Sequence, residues 1–513
     1  MTHLLLATLL TAAAATAEGA PSPWPSAIAP WLDEKGPDGG MIIGEAQRAY
    51  FLQLPEHTRQ LMGEVADSQL LASARHANVL LSLDLSPQAL ELALQDNCVV
   101  CHTDPGIGDP NTLFSLDPKA TGTPAHLNLK EFISDVHFRK GLSCSGCHGG
   151  TPQDEMMTKA IGQRWPKKAE RHQDRTWIPA FCARCHADQE FMRNFNPSLP
   201  TDQLAKYQHS RHGQLLLEEH DSKAAQCVSC HGVHGIRDAK SRLSRVHPQQ
   251  IPETCGTCHA NAEYMAGYKT ETGEPMPTHQ LAEFKQGVHG KALLEKGDLG
   301  APACNTCHGN HAAAPPKVAS VSQVCRTCHA LNGQLFDGSK HKAAFEKHQW
   351  PECGQCHGKH AIAHPTDALI GNAPGTLCGD CHAKFATDDP KCAGTAVQFK
   401  ATLDELAAAD RSLSEQVERV AEKGLDVEPL TTSVSELEEA LVQTRTRVHS
   451  FDQSTFDVQA AVGREAAKKG EAQLHTAREE FSSRRRGLLG SIASMGVLAV
   501  VLYLRIRQME KKP

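Results

Sequence analysis

Nine copies of one five-residue pattern, Cys-x-x-Cys-His, fall between positions 98 and 382 of this chain. They are Cys98/Cys101/His102, Cys144/Cys147/His148, Cys182/Cys185/His186, Cys227/Cys230/His231, Cys255/Cys258/His259, Cys304/Cys307/His308, Cys325/Cys328/His329, Cys353/Cys356/His357 and Cys378/Cys381/His382. Together they take in all but one of the 19 cysteines. Two thiols three residues apart lie on one side of a tight turn, where both can add to the vinyl groups of a haem. The histidine that follows comes under the iron as its proximal ligand. Zinc sites also use Cys-x-x-Cys pairs, but they have no reason to place a histidine directly after the second cysteine each time. Only 29 of 513 residues are histidine, so nine such placements by chance have a probability on the order of 10⁻¹¹. The spacing therefore predicts nine covalently attached c-type haems.

That density, nine sites over 285 residues, governs the expected fold. Aromatic residues are 5% of the chain and its mean hydropathy is −0.39, poor material for an ordinary core of this length. The expectation is a mainly α domain with much irregular structure, residues 98–392, organised around its porphyrins. The net charge of −7 gives no reason to expect nucleic acid, and haem propionates add to it. A cationic patch on a redox partner would fit as its docking surface.

An internal repeat makes further ligands readable. After His186 the chain reads Ala-Asp-Gln-Glu-Phe-Met, then Pro-Thr-Asp-Gln-Leu-Ala-Lys-Tyr and His212-Gly. After His259 it reads Ala-Asn-Ala-Glu-Tyr-Met, then Pro-Thr-His-Gln-Leu-Ala-Glu-Phe and His289-Gly. Four histidines outside the motifs have an aromatic residue five positions upstream: Phe132/His137, Tyr207/His212, Phe284/His289 and Phe336/His341. Three more, His234, His311 and His360, sit three residues after a motif histidine. That spacing points to a neighbouring haem, because a tight turn can hardly bring both histidines to opposite faces of one iron. These seven are the expected distal ligands. His126, His172, His247, His348 and His364 compete for the two haems left over. His279 aligns with Asp202 in the other copy and is set aside; His57 and His76 are expected at the surface. Met192 and Met265 recur beside Phe191 and Tyr264 and are expected to pack rather than ligate. Cys392 is the odd cysteine, expected as a spare thiol in preference to an intermolecular bridge.

The flanks predict export and anchoring. Leu4 to Ala15 is apolar and Ala15-Thr16-Ala17 fits a cleavage site, so residues 1–17 read as a signal peptide. A helical segment, 18–97, follows. Beyond Cys392 the composition shifts to Ala, Glu, Leu, Gln and Arg. Phe399, Leu403, Leu406, Leu413, Val417 and Val420 keep a 4-3 spacing, with Asp410 filling one seam position. A second series runs Leu430, Val434, Leu437, Leu441, Thr444, Val448, Phe451. Residues 393–483 thus predict a helical hairpin or a coiled coil between subunits, a route to oligomerisation. Gly487 to Ile506 is apolar up to Arg505 and about 30 Å long as a helix, enough to span a bilayer. Residues 484–513 read as a single-pass anchor with a short cytoplasmic tail, and the haem domain as periplasmic at the inner membrane.

The stretch Phe-Lys-Gln-Gly-Val-His289-Gly followed by Cys304-Asn-Thr-Cys-His-Gly-Asn-His311 resembles bacterial multihaem c-type cytochromes of the cytochrome c3-like, doubled C-x-x-C-H group. Gly141-Leu-Ser-Cys144-Ser-Gly-Cys-His-Gly-Gly is similar to quinol-dehydrogenase cytochromes, although those carry their membrane helix at the N-terminus. The resemblance covers about residues 98–382. It implies bis-His haems in close pairs and a respiratory electron relay between a membrane oxidoreductase complex and another redox protein. A multihaem oxidoreductase acting on a small nitrogen or sulfur compound is the alternative. It requires one iron with an open position, which some families mark with C-x-x-C-K; that pattern does not occur here. A third reading, compatible with the relay, makes the 393–483 helices a docking module for partners.

Overall fold

The computed structural model describes residues 24–103 apart from 68–70, 72 and 84, then 127–142, 144–149, 175–270, 273–313, 323–385 and 390–510. The expected signal peptide, His126 and His172 lie outside the described residues, and the Cys101 and Cys392 side chains lie outside the described side chains. Among the described residues the chain is mainly helical, joined by turns, without a β-strand. It divides into two units, Met1–Tyr264 with His308–Ala314, and Met265–Cys307 with Pro315–Pro513.

The first unit opens on four short helices, Glu45–Gln53, Glu56–Asp67, Ala74–Ser82 and Pro87–Leu94. Ser73 and Ser86 cap the last two by accepting from the backbone N–H groups of His76 and Ala89, and Pro87 takes the first helical position, as its sequence predicts. Their apolar faces close a core that includes Phe51, Met62, Leu80 and Leu90, and that reaches on to Val99, Val100 and Phe138. The first Cys-x-x-Cys-His is thus built onto a conventional core. His76 departs from expectation: it is fully buried, its Nε2 3.2 Å from Thr103 Oγ1. One isolated histidine has no periodicity from which its burial could be read.

Between Cys144 and His382 conventional packing thins out. The one described cluster of buried apolar residues there is Tyr207, Leu216 and Ala224. The two methionines of the repeat, Met192 and Met265, are buried.

The second unit ends in three long helices, Pro390–Ala421, Glu428–Arg447 and Gln453–Glu510. Both apolar series line their shared core, with Leu403 and Leu437 fully buried. The expected hairpin is therefore two-thirds of a three-helix bundle. The first and third helices run parallel in constant register: Phe399 stacks on Phe456 at 4.1 Å, Leu406 lies against Gly463, and Leu413 against Gly470. Each step is seven residues on both helices, the heptad seam of a left-handed coil. The middle helix returns antiparallel, with Glu436 paired to Lys469 at 2.7 Å and Ser433 donating to Gln473 at 2.8 Å. Leu403→Ala is expected to cost roughly 2–5 kcal/mol, read as earlier thermal loss of bundle helicity.

The third helix does not stop where the bundle does. Its residues 482–509 are exposed, and it is long and apolar enough to cross a membrane, with a mean hydropathy of 2.1 over its most apolar window.

Candidate functional site

The motif cysteines and histidines are brought together by short helical turns. Cys144–His148, Cys227–His231 and Cys304–His308 are each a single turn, while Trp177–His186, Ile251–His259 and Leu377–Phe385 carry the motif within a slightly longer helix. In the seventh motif Cys325 lies in one helix and His329 caps the next, Ala330–Asp337. Gly149, Gly232, Gly309 and Gly358, each directly after a motif histidine, have φ between 74° and 83°. This left-handed turn, which glycine adopts without a Cβ penalty, reverses the chain at once and sends the trailing histidine away from its own motif.

Seven imidazole pairs result. In the first unit His186 faces His137 with ring centroids 5.8 Å apart, His148 faces His234 at 6.1 Å, His259 faces His212 at 6.0 Å and His231 faces His311 at 6.2 Å. In the second unit His329 faces His289 at 6.3 Å, His382 faces His341 at 6.0 Å and His357 faces His449 at 6.0 Å. Every pair joins one motif histidine to one histidine outside the motifs. The leading histidines His137, His212, His289 and His341 each face not the motif directly ahead of them but the one after it. The trailing histidines His234 and His311 face the motif two places earlier. His234 and His311 thus each face a motif other than the one they trail.

A recurring backbone hydrogen bond sets the leading histidines in place. For three of the four, the residue before donates its N–H to a carbonyl two residues past a trailing histidine: Val136 to Ile236 at 2.7 Å, Arg211 to Ala313 at 2.9 Å, and Val288 to Ile362 at 2.8 Å. Asp135 adds orientation. One carboxylate oxygen accepts from the His137 N–H at 2.8 Å and lies 3.0 Å from its Nδ1, and the other accepts from Ile236 N at 2.8 Å. An Nδ1–H held this way fixes the tautomer and leaves Nε2 as the nitrogen with the available lone pair.

No family model, curated protein or solved structure matches the chain. The donor set has to be judged on its own geometry. A metal ion bonded to two imidazole nitrogens at about 2.0–2.1 Å each, the length typical of zinc, puts the ring centroids about 6 Å apart. All seven pairs meet that spacing, and none is close enough for the two rings to hydrogen-bond each other directly. Burial pushes His212 and His231 down to about 4, the facing imidazole adding to the effect, and lowers His186, His259, His289 and His357 as well. These rings are neutral at pH 7, the form that ligates. Among the described residues no group of three or more His, Cys, Asp or Glu could hold a bare ion. Two nitrogens fall short of the four ligands zinc takes and suit a centre that brings an equatorial set of its own.

The thiols are placed in keeping with this. Cys98 lies within hydrogen-bond reach of Cys144, Cys182 of Cys227, and Cys325 of Cys353. Cys230 is close to Cys255 and Cys258, and Cys356 to Cys381 and Cys378. Successive motifs are therefore neighbours in space within each unit.

Seven of the described motif residues have exposed side chains: His102, His148, His329, Cys230, Cys307, Cys328 and Cys356. His102, expected as a proximal ligand, ends the helix Asn97–His102 with an exposed side chain. Among the second cysteines Cys230, Cys307, Cys328 and Cys356 are exposed, the Cys328 Sγ 3.8 Å from Thr327 Oγ1, and Cys147, Cys185, Cys258 and Cys381 are half-buried. Cys147 still lies near Cys182, and Cys328 near Cys307. These thiols are not shut into protein as ligands of a closed site would be. The reason is local: a motif on a short helix, with little conventional core behind it, has few protein atoms to cover its second sulfur. A sulfur left open in this way has room to bond to a group that is not protein.

The remaining candidates separate clearly. His360 sits on the corresponding turn, its Nδ1 3.6 Å from Glu283. His247 is buried and its Nδ1 accepts from Gln249 N at 3.3 Å, His348 stacks on Trp350 at 4.5 Å, and His364 is exposed. His279 pairs with Glu283 at 3.4 Å and His57 with Glu91 at 2.7 Å, both with exposed imidazoles. His449 is the residue that sequence reasoning missed: it belongs to the helical region, 67 residues past the last motif.

Proposed function

We propose that the chain is a membrane-anchored nonahaem c-type cytochrome that relays electrons between a membrane oxidoreductase complex and another redox protein. The observation that carries this reading is the set of imidazole pairs, each holding one motif histidine opposite a second imidazole. The eighteen motif cysteines, Cys98 through Cys381, would form the thioethers. His137, His212, His234, His289, His311, His341 and His360 are the distal ligands the repeat nominates. When bound, each haem iron takes up and releases a single electron.

The chain's own contribution is to hold and to exclude. A pair of imidazoles fixed from two separate elements would hold one centre from both sides, leaving no open position for substrate and favouring electron transfer over turnover. Neutral, desolvated rings keep proton uptake off the ligands. Adjacent motifs keep neighbouring centres close. The apolar end of the last helix would anchor the protein in the inner membrane, single-pass, with the haem domain in the periplasm.

The test is EPR of the oxidised protein together with carbon monoxide titration of the reduced one. Low-spin iron throughout, no carbon monoxide uptake and a haem count near nine per chain are expected. A stoichiometric high-spin, carbon monoxide-reactive haem would favour an oxidoreductase instead, and zinc without Soret absorbance would remove the reading altogether.

A further inference from the structure

The bundle at the end of the chain reads by itself as a spacer. Its contact with the haem region is more specific than a spacer requires. The turn Val448–Ser450, between the second and third bundle helices, places the His449 imidazole opposite His357 with ring centroids 6.0 Å apart and planes 26° from parallel. Its Nδ1 lies 3.0 Å from the Thr446 carbonyl oxygen, to which an Nδ1–H donates, and the Asn332 amide flanks the same nitrogen at 3.3 Å. The ring is thereby oriented with Nε2 turned to other work. Phe451, at φ 50°, lays its ring 3.8 Å from that of His341 in the neighbouring pair. Arg445 makes a two-pronged ion pair with Asp367 at 2.8 and 2.9 Å.

We propose that His449 is the second axial ligand of the haem attached at Cys353 and Cys356, so that the helical bundle completes the haem domain. The inference rests on the haem reading above. His357 has to draw its partner from outside the repeat, because no tenth Cys-x-x-Cys-His follows the ninth. In the first unit, the trailing histidine of a motif two places on serves this end, as His311 does for His231. After the ninth motif no such residue exists, and the bundle supplies one.

The alternative is that His449 is a buried histidine satisfied by Thr446 alone. His449→Ala, made in the full-length chain, separates the two. The expected result is an unchanged haem count, with one of nine irons turned high-spin, one equivalent of carbon monoxide bound on reduction, and low-spin iron restored by added imidazole. His475→Ala, on an exposed face of the same bundle, is expected to leave all three readouts unchanged. Should the alanine variant fail to accumulate, His449→Met keeps an axial donor, and one haem is expected to stay low-spin with a raised potential. A full haem count with wild-type spin state in His449→Ala, or with wild-type potentials in His449→Met, overturns the assignment while leaving the cytochrome reading intact. A wild-type protein devoid of haem overturns the reading itself.

Discussion

Prevented from acquiring haem, the chain is expected to lose ordered structure between Cys144 and His382 while both ends stay folded. The ends have cores of their own: the cluster around Phe51, Met62 and Leu80, and the bundle core around Leu403, Leu437 and Phe456. The middle has the small Tyr207 cluster and a series of desolvated imidazoles. Facing rings about 6 Å apart make no direct bond to each other, so their burial costs free energy unless something between them offsets it. Hydrogen exchange on the apoprotein, made where haem attachment is blocked, is the measurement. Fast exchange from Cys144 to His382 beside protected bundle amides is expected. Native-like protection at Cys227–His231 and Ile251–His259 without haem would show that the peptide alone holds the middle, against the cofactor-built fold.

Gly290→Ala is expected to turn one haem high-spin and to lower thermal stability by more than a typical surface change. Gly290 follows His289 in the helix Val288–Leu294, and a Cβ there would overlap the Phe284 carbonyl oxygen of the preceding helix, Gln280–Gln286. That oxygen belongs to backbone, so no rotamer change relieves the clash; the helix carrying His289 must move off His329. Gly213 bears the same relation to Tyr207, which explains why the repeat keeps His-Gly in both copies. Gly354→Ala is the control, since its nearest neighbour would be Pro351 Cβ at 3.7 Å. Equal effects of the two substitutions on spin state and melting would refute the steric argument.

Much of the site is legible because covalent attachment demands a local pattern. Cysteine and histidine positions follow from spacing, and six of the seven facing pairs use histidines that the repeat nominates. How far each is covered does not follow from spacing, which is why the exposure of His102 and Cys328 could not be read in advance. His449 carried no mark at all. It neighbours no cysteine, and a histidine at the end of an amphipathic helix looks like any solvated cap. The bundle was half legible for a related reason. The third helix turns Ala460, Gly463, Ala466 and Gly470 inward, and residues this small hardly register as an apolar stripe. Their smallness is what admits Leu406 and Leu413 from the first helix. The N-terminal core showed as helical segments only, since packing of four short helices depends on contacts between elements that periodicity within each does not encode.

The helix that begins at Gln453 runs unbroken to Glu510. From Gln453, beside the His357–His449 pair, to the start of the apolar stretch at Gly487 there are 34 residues, or about 50 Å of helix at 1.5 Å per residue. With the apolar end in a bilayer, this rod sets a height: the last pairs stand well above the lipid. No cysteine follows Cys392, so no covalent haem can bridge the climb. On the proposed reading, a partner that exchanges electrons at this end would have to be a protein tall enough to meet it rather than a carrier dissolved in the membrane. Removing matched heptads from all three helices, with haem content unchanged, would then abolish exchange with the native partner; undiminished exchange would refute this account.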